Sequence, residues 1–177
     1  LPLAREFAVS KVKVLGFDVD SAKVQILNSG KSIIKHVPHK QVKQLVNDGY
    51  FKATDQMAKI KSVDAVLICV PTPLTENREP DMQFVEKSCR TIAKYLRPGQ
   101  IIALESTTYP GTTRELMKPI LETSGLKAGK DFYLAYSPER EDPGNKNFTT
   151  KTIPKVVGGL TKKCRDIAYA LYEKAIN

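Results

Sequence analysis

Long apolar runs are missing from this sequence. No stretch approaches the ~18 residues that a membrane-spanning helix needs, so none is expected. Cysteine is scarce: Cys69, Cys89 and Cys164 stand far apart and form no Cys-x-x-Cys pair. That pattern fits reduced thiols in a cytoplasmic protein better than a disulfide framework. The phosphate-binding pattern Gly-x4-Gly-Lys-Ser/Thr is absent, which argues against a P-loop enzyme. So is the Gly-x-Ser-x-Gly elbow of many hydrolases. His36 and His39 lie three apart with no third ligand in view, so a metal site is not expected.

Charge is present in one-sided amount: 28 basic against 19 acidic residues, a net +9. The lysines are scattered, and no basic tract interleaves with aromatics, so nucleic acid is not the expected partner. A small polyanion such as a dinucleotide or a nucleotide-sugar accounts for the sign as well, and so do solvated surface lysines.

The 177 residues suffice for one domain with a real core. Leu1, Leu3, Ala4, Phe7 and Ala8 recur at helical spacing, followed by a strand over 12–17. Helices are expected over 21–30, with Gly30 as the stop, and over 38–48, with Val42 and Leu45 inward. Residues 50–54 read as an edge-like strand. The near-continuous apolar run at 62–70 suits a strand buried on both faces. A helix from Asp81 to Leu96 has its stripe on Met82, Val85, Cys89, Ile92, Ala93 and Leu96, with Asp81 as N-cap. Strands at 100–106, 131–138 and 153–159 are separated by a helix that Thr112 and Glu115 would open as a capping box. Pro119 should interrupt that helix. Thr161 starts a last helix on Cys164, Ile167, Ala168, Leu171 and Tyr172, and all three cysteines read as packing residues. Alternating strands and helices imply an α/β fold, a doubly wound, mostly parallel sheet of Rossmann type. Its ligands bind at the carboxyl ends of the strands.

Those ends carry the candidate chemistry. After the first strand come Asp18 and, five residues on, Lys23; an acid there accepts hydrogen bonds from an adenosine ribose and repels a 2′-phosphate, favouring NAD. Helix capping by Asp18 or Asp20 is the equal alternative. Pro71 and Pro73 bracket Thr72 and would fix it and the Val70 carbonyl at the mouth, or merely stiffen a loop. Ser106, Thr107 and Thr108 precede a helix N-terminus, a fair place for a nicotinamide amide, ribose or phosphate. Glu139 lies where a base for water is useful and Arg140 where a phosphate is held. A surface ion-pair cluster with Glu141 and Asp142 is the alternative.

Taken in order, LPLAREFA, VLGFDVD, ICVPTPL, LESTTYPGTTREL, YLAYSPEREDPGN and IPKVVGG resemble the NAD-binding domain of the UDP-glucose/GDP-mannose dehydrogenase family. SPEREDPGN, with IKHVPH upstream, is most similar to the branch acting on UDP-N-acetylglucosamine and related amino sugars. The resemblance implies oxidation of C6 of a UDP-linked sugar to the carboxylate by two NAD⁺, through a thioester on a cysteine. It implies adenosine-ribose contacts at Asp18 and Lys23, and adenosine contacts at Val70, Pro71 and Thr72. Ser106 and Thr107 would lie near the nicotinamide and the reactive water, with Thr107 and Glu139 catalytic. Glu139, Arg140, Glu141 and Asp142 would lie beside the nucleotide-sugar. None of the three cysteines matches the catalytic one.

The resemblance also implies a glycine-rich turn and first strand ahead of Leu1. It implies central helical and UDP-sugar-binding domains beyond Asn177. Residues 1–177 are then expected to be an N-terminally truncated NAD-binding domain, inactive alone. It would come from a homo-oligomer that assembles through the central domain, and the sheet would have a hole at its centre. A non-catalytic nucleotide-binding or assembly module is the alternative.

Overall fold

A computed structural model of the chain describes residues 1–35, 37–76, 78–138 and 154–176. Its residues fall into two compact units, one built from Leu1–Met57 with the chain end from Leu171, the other from Ala58 onward with Lys155–Ala170.

In the first unit α1 (Pro2–Val9), β1 (Val14–Phe17), α2 (Ser21–Asn28), α3 (His39–Asn47) and β2 (Phe51–Thr54) follow in order. β1 and β2 pair in parallel, Gly16 opposite Ala53. Ala8, Val24, Leu27, Val37, Val42, Phe51 and Ala53 make the core, as the apolar spacing predicts. All three helices end in the same way. The first residue beyond each cap turns left-handed, at Lys11 (φ 63°), Gly30 (φ 79°) and Gly49 (φ 75°). Paired backbone bonds then close each terminus, for example Gly30 N–H to Leu27 O at 2.9 Å and Lys31 N–H to Ile26 O at 3.1 Å. Gly30 is the expected stop. Lys11 carries the same turn without glycine's freedom. The outer edge of β2 is covered by a side chain: Asn28 Nδ2 donates to Ala53 O (3.0 Å) and its Oδ1 accepts from Ala53 N–H (2.8 Å). One amide thus stands in for a neighbouring strand.

The second unit holds β3 (Ala65–Ile68), α4 (Gln83–Ala93), β4 (Ile101–Leu104), α5 (Lys118–Glu122), β5 (Tyr133–Tyr136), β6 (Gly158–Gly159) and the greater part of α6 (Lys162–Tyr172). The sheet order is β3-β4-β5-β6, parallel except for the last pair. All four residues of β4 are buried. β3 departs from the expectation of burial on both faces: three of its four residues are half-exposed. It has a hydrogen-bonded neighbour on one side only among the described residues, and the same holds for β1. The apolar run at 62–70 thus lies at an edge of its sheet among the described residues.

Other expectations shift. Residues 154–157 are irregular and only Gly158–Gly159 pair, antiparallel, with β5. The first turn of α6 lies directly on Gly159, where a Cβ would fall 2.2 Å from Arg165 N. The capping box does not form. Thr112 is itself helical (φ −46°, ψ −44°), and its oxygen accepts from no helix N–H; its hydroxyl donates to Tyr109 O at 2.8 Å. Pro119 interrupts as expected. Lacking an N–H for the Glu115 carbonyl, it follows a widened π turn at Thr113–Met117, and only then does α5 run. Asp81 accepts from Gln83 N–H at 2.9 Å, at the start of α4.

At the amino ends of the strands, polar side chains are wholly structural. Gln100 is fully buried. Its amide donates to Ile60 O (2.8 Å) and Val63 O (2.6 Å) and accepts from Arg97 N–H (2.8 Å). Arg97 reaches Lys61 O at 2.9 Å and Asp64 at 2.5 Å.

Two substitutions test these packings. Asn28→Ala leaves both backbone groups of Ala53 without their partners and is expected to cost about 1–3 kcal/mol. Gly159→Ala drives a methyl into backbone and is expected to cost about 1–3 kcal/mol. Urea unfolding reads both, and an unchanged midpoint for either would contradict the corresponding contact.

Candidate functional site

Three parallel strands of the second unit end level. Ile68 pairs with Leu104 and Leu104 with Tyr136. The ladder runs one bond further on each side, Glu105 N–H to Ile68 O and Ser137 N–H to Leu104 O, both 2.9 Å. Beyond that point the chains diverge, and side chains must supply what the ladder no longer does.

The turns after β3 and β4 are tied to each other reciprocally. Ser106 Oγ donates to Val70 O at 2.5 Å, and Thr72 Oγ1 donates to Thr107 O at 2.8 Å. Each hydroxyl has one proton, so both donors are committed. Further on, Thr112 donates to Tyr109 O, which obliges Thr108 to be the donor in the 2.7 Å contact between the two threonine hydroxyls. Thr107 differs from its neighbours. It is exposed, and its hydroxyl has no partner among the described residues. Ser106, Thr107 and Thr72 are thus brought together as expected, but they divide the work. Ser106 (7% exposed) and Thr72 hold the turns, and Thr107 presents a free donor. Pro71 is exposed and Val70 half-buried beside them.

Behind this edge lies a buried ion pair that sequence reasoning missed. Lys155 Nζ stands 2.6 Å from Glu105 Oε2, with the side chains 8% and 1% exposed. The same ammonium lies 3.5 Å from Pro138 O, and Ser137 Oγ donates to Val156 O at 2.8 Å. The one available signal was a lysine set in the apolar segment IPKVVGG. Tyr136, at the end of β5, has its phenol pushed above the ordinary range. Burial is the main cause; the Glu105 carboxylate adds to it, and a backbone hydrogen bond at Thr108 opposes it. It borders a cavity of about 250 Å³ with Gly111, Arg114, Gly159 and Leu160.

In the first unit the two acids after β1 separate. Asp20 caps α2, accepting from Ala22 N–H (2.9 Å) and Lys23 N–H (3.4 Å). Asp18 is not a cap. Its N–H extends the ladder to Thr54 O, its Oδ1 accepts from Asp20 N–H at 2.9 Å, and its second oxygen has no partner among the described residues. That leaves a half-exposed carboxylate at a strand end, which fits a ribose diol. Lys23 turns to Asp20, 3.9 Å away, instead of to Asp18.

Glu139, Arg140, Glu141, Asp142 and His36 lie outside the described residues. Among the described residues no group of three His, Cys, Asp or Glu is placed to hold a metal, and no helix is long and apolar enough to cross a membrane. Burial, aided by the Glu86 carboxylate, pushes the Cys89 thiol up to about 12, so it stays neutral and inert. Cys164 is buried in α6 as expected. Cys69 is a correction: it is exposed, because β3 ends at Ile68 and Cys69 already belongs to the diverging turn.

The sequence profile of the UDP-glucose/GDP-mannose dehydrogenase family, NAD binding domain, matches residues 1–176. Protein CapL of Staphylococcus aureus is 37% identical over 99% of this chain and 41% of its own length. UDP-N-acetyl-D-glucosamine 6-dehydrogenase of Salmonella typhi is 35% identical over 100% of the chain and 41% of its own. A solved structure of UDP-D-ManNAc dehydrogenase from Pyrococcus horikoshii superposes with a TM-score of 0.88 at 33% identity, over 99% of this chain and 42% of that one. The chain thus spans about two-fifths of the length of these curated relatives.

Brief alkylation of the native protein, read by peptide mass spectrometry, is expected to label Cys69 and to spare Cys89 and Cys164 until denaturant is added. Labelling of Cys89 as fast as Cys69 would contradict the burial described.

Proposed function

The chain belongs to the UDP-glucose/GDP-mannose dehydrogenase family, and from that premise we propose that it is the NAD-binding part of a nucleotide-sugar 6-dehydrogenase. The proposed substrate is a UDP-linked N-acetylhexosamine, the chemistry in the names of two of the relatives above. The reaction takes the C6 alcohol and one water to the carboxylate. Two NAD⁺ become two NADH, and three protons are released. NAD⁺ supplies the hydride acceptor; the remaining roles belong to the chain and to the full-length protein.

Asp18 takes the adenosine ribose diol through its uncommitted oxygen, and its charge disfavours a 2′-phosphate. Lys23 lies in the next turn of α2, paired to Asp20. Val70, Pro71 and Thr72 form a wall for the adenosine half, kept rigid by the bonds to the neighbouring turn. Thr107 is the catalytic hydroxyl of this chain, oriented toward the nicotinamide and the reacting water. Its exposed, unpartnered side chain carries the reading. Glu139 is proposed as the carboxylate that supports hydrolysis, with Arg140, Glu141 and Asp142 beside the nucleotide-sugar. The free thiols fit a reducing compartment. The reading makes the enzyme a cytoplasmic homo-oligomer, assembled through residues other than these.

The test uses the full-length protein with NAD⁺ and either UDP-N-acetylglucosamine or UDP-N-acetylmannosamine. Two NADH per sugar oxidised are expected. Asp18→Ala should raise the KM for NAD⁺ about tenfold, the equivalent of one charge-assisted hydrogen bond of ~1.5 kcal/mol. Thr107→Val should lower kcat about a hundredfold. NAD⁺ binding without NADH formation from any nucleotide-sugar would replace the enzyme by a binding module. An unchanged KM in Asp18→Ala would remove the ribose assignment.

A further inference from the structure

We propose that the buried Glu105–Lys155 ion pair is a positioning pair for the reaction, acting on the chemistry through the Ser106–Thr107 turn. The inference rests on the reading of Thr107 given above.

Four observations support it. First, the pair is where it can act. Glu105 is the last residue held by the β4 ladder, and Ser106 and Thr107 follow it directly. Second, it joins three segments at one point. Lys155 meets the Glu105 carboxylate at the end of β4 and the Pro138 carbonyl at the end of β5. Lys155 itself begins the segment whose neighbour Val156 accepts from Ser137. Pro138 is also the residue next to Glu139 in the chain. Third, the pair is dry, with side chains 8% and 1% exposed. A buried ion pair is a poor way to stabilise a fold, since apolar residues of like volume often do as well or better. It is a good way to fix a geometry, because displacing either charge leaves the other buried without its counter-ion. Fourth, the opposite ends of the same strands need the same kind of fastening and use a neutral amide, Gln100. The ion pair at that end, Arg97–Asp64, is exposed, whereas the buried charged pair occurs at the end where the Thr107 hydroxyl stands.

The expected consequence is a change in rate more than in binding. Displacement of a reacting group by about an ångström can cost up to a hundredfold. The Thr107 hydroxyl would shift with Glu105, while the two bonds between the turns, Ser106 to Val70 O and Thr72 to Thr107 O, keep the adenosine wall close to its place.

The experiment uses the full-length enzyme with NAD⁺ and the UDP-N-acetylhexosamine it oxidises. Glu105→Gln and Lys155→Met are each expected to lower kcat about tenfold or more, with the KM for NAD⁺ within about threefold of the parent value. Lys155→Arg, which keeps the charge, should recover much of the loss. The double variant Glu105→Leu/Lys155→Met separates positioning from stability. It is expected to unfold at or above the parent's temperature and still to have the reduced kcat. A double variant that is stable and as fast as the parent would overturn the proposal, as would single variants whose kcat stays within about twofold of the parent's. If Thr107→Val has no effect while the enzyme is active, the reading of Thr107 fails and this inference with it. If Thr107→Val is slow and the pair variants are fast, this inference alone fails.

Discussion

Where a parallel ladder ends, every strand must turn away from its neighbours, and something must hold the diverging turns in place. Here two hydroxyl-to-carbonyl bonds do it, Ser106 to Val70 and Thr72 to Thr107. Each links a side chain of one turn to the backbone of the other, so neither turn can move alone. The two donors are committed between the turns, and the next hydroxyl, Thr107, is exposed and has no partner among the described residues. The functional reading of the edge depends on that division of labour.

The two ends of the sheet differ in kind. At the amino ends, Gln100 and Arg97 complete hydrogen bonds to the carbonyls of residues 60–63. At the carboxyl ends, the polar residues include a hydroxyl with no partner among the described residues, a buried ion pair and a phenol whose ionisation burial disfavours. The first unit shows the same order on a smaller scale. Asp20 closes its helix and Asp18 keeps an oxygen available at the strand end. In each case one residue meets the structural need and its neighbour keeps a polar atom without a partner among the described residues.

Much of this was legible because it follows from local pattern. The apolar runs mark β3, β4 and β5, the helical stripes mark α4 and α6, and Gly30 stops α2. The ordered motifs pointed to the family whose profile covers residues 1–176. What escaped depends on partners distant in sequence. Asn28 as an edge cover for β2 and Lys155 as the partner of Glu105 need a fold before they mean anything. Lys11 in a left-handed turn has no compositional signal, since glycine is the usual mark. The capping box at Thr112 and Glu115 does not form because Thr112 is itself helical, and its hydroxyl bonds Tyr109 O and Thr108. The three cysteines read alike, yet the end of β3 at Ile68 puts Cys69 outside. Glu139 to Asp142, prominent in the sequence, fall outside the described residues, so their part remains one of resemblance.

The central claim is that Thr107 faces the reacting end of the cofactor while Ser106 and Thr72 hold its turn. The most direct measurement is a crystal structure of the full-length protein with NAD⁺ and a UDP-N-acetylhexosamine bound. The account predicts the Thr107 hydroxyl within hydrogen-bond distance of the nicotinamide riboside or of the water or C6 oxygen beside it, with the Ser106–Val70 and Thr72–Thr107 bonds intact. A nicotinamide bound away from Thr107, or either of those bonds broken in the complex, would contradict it.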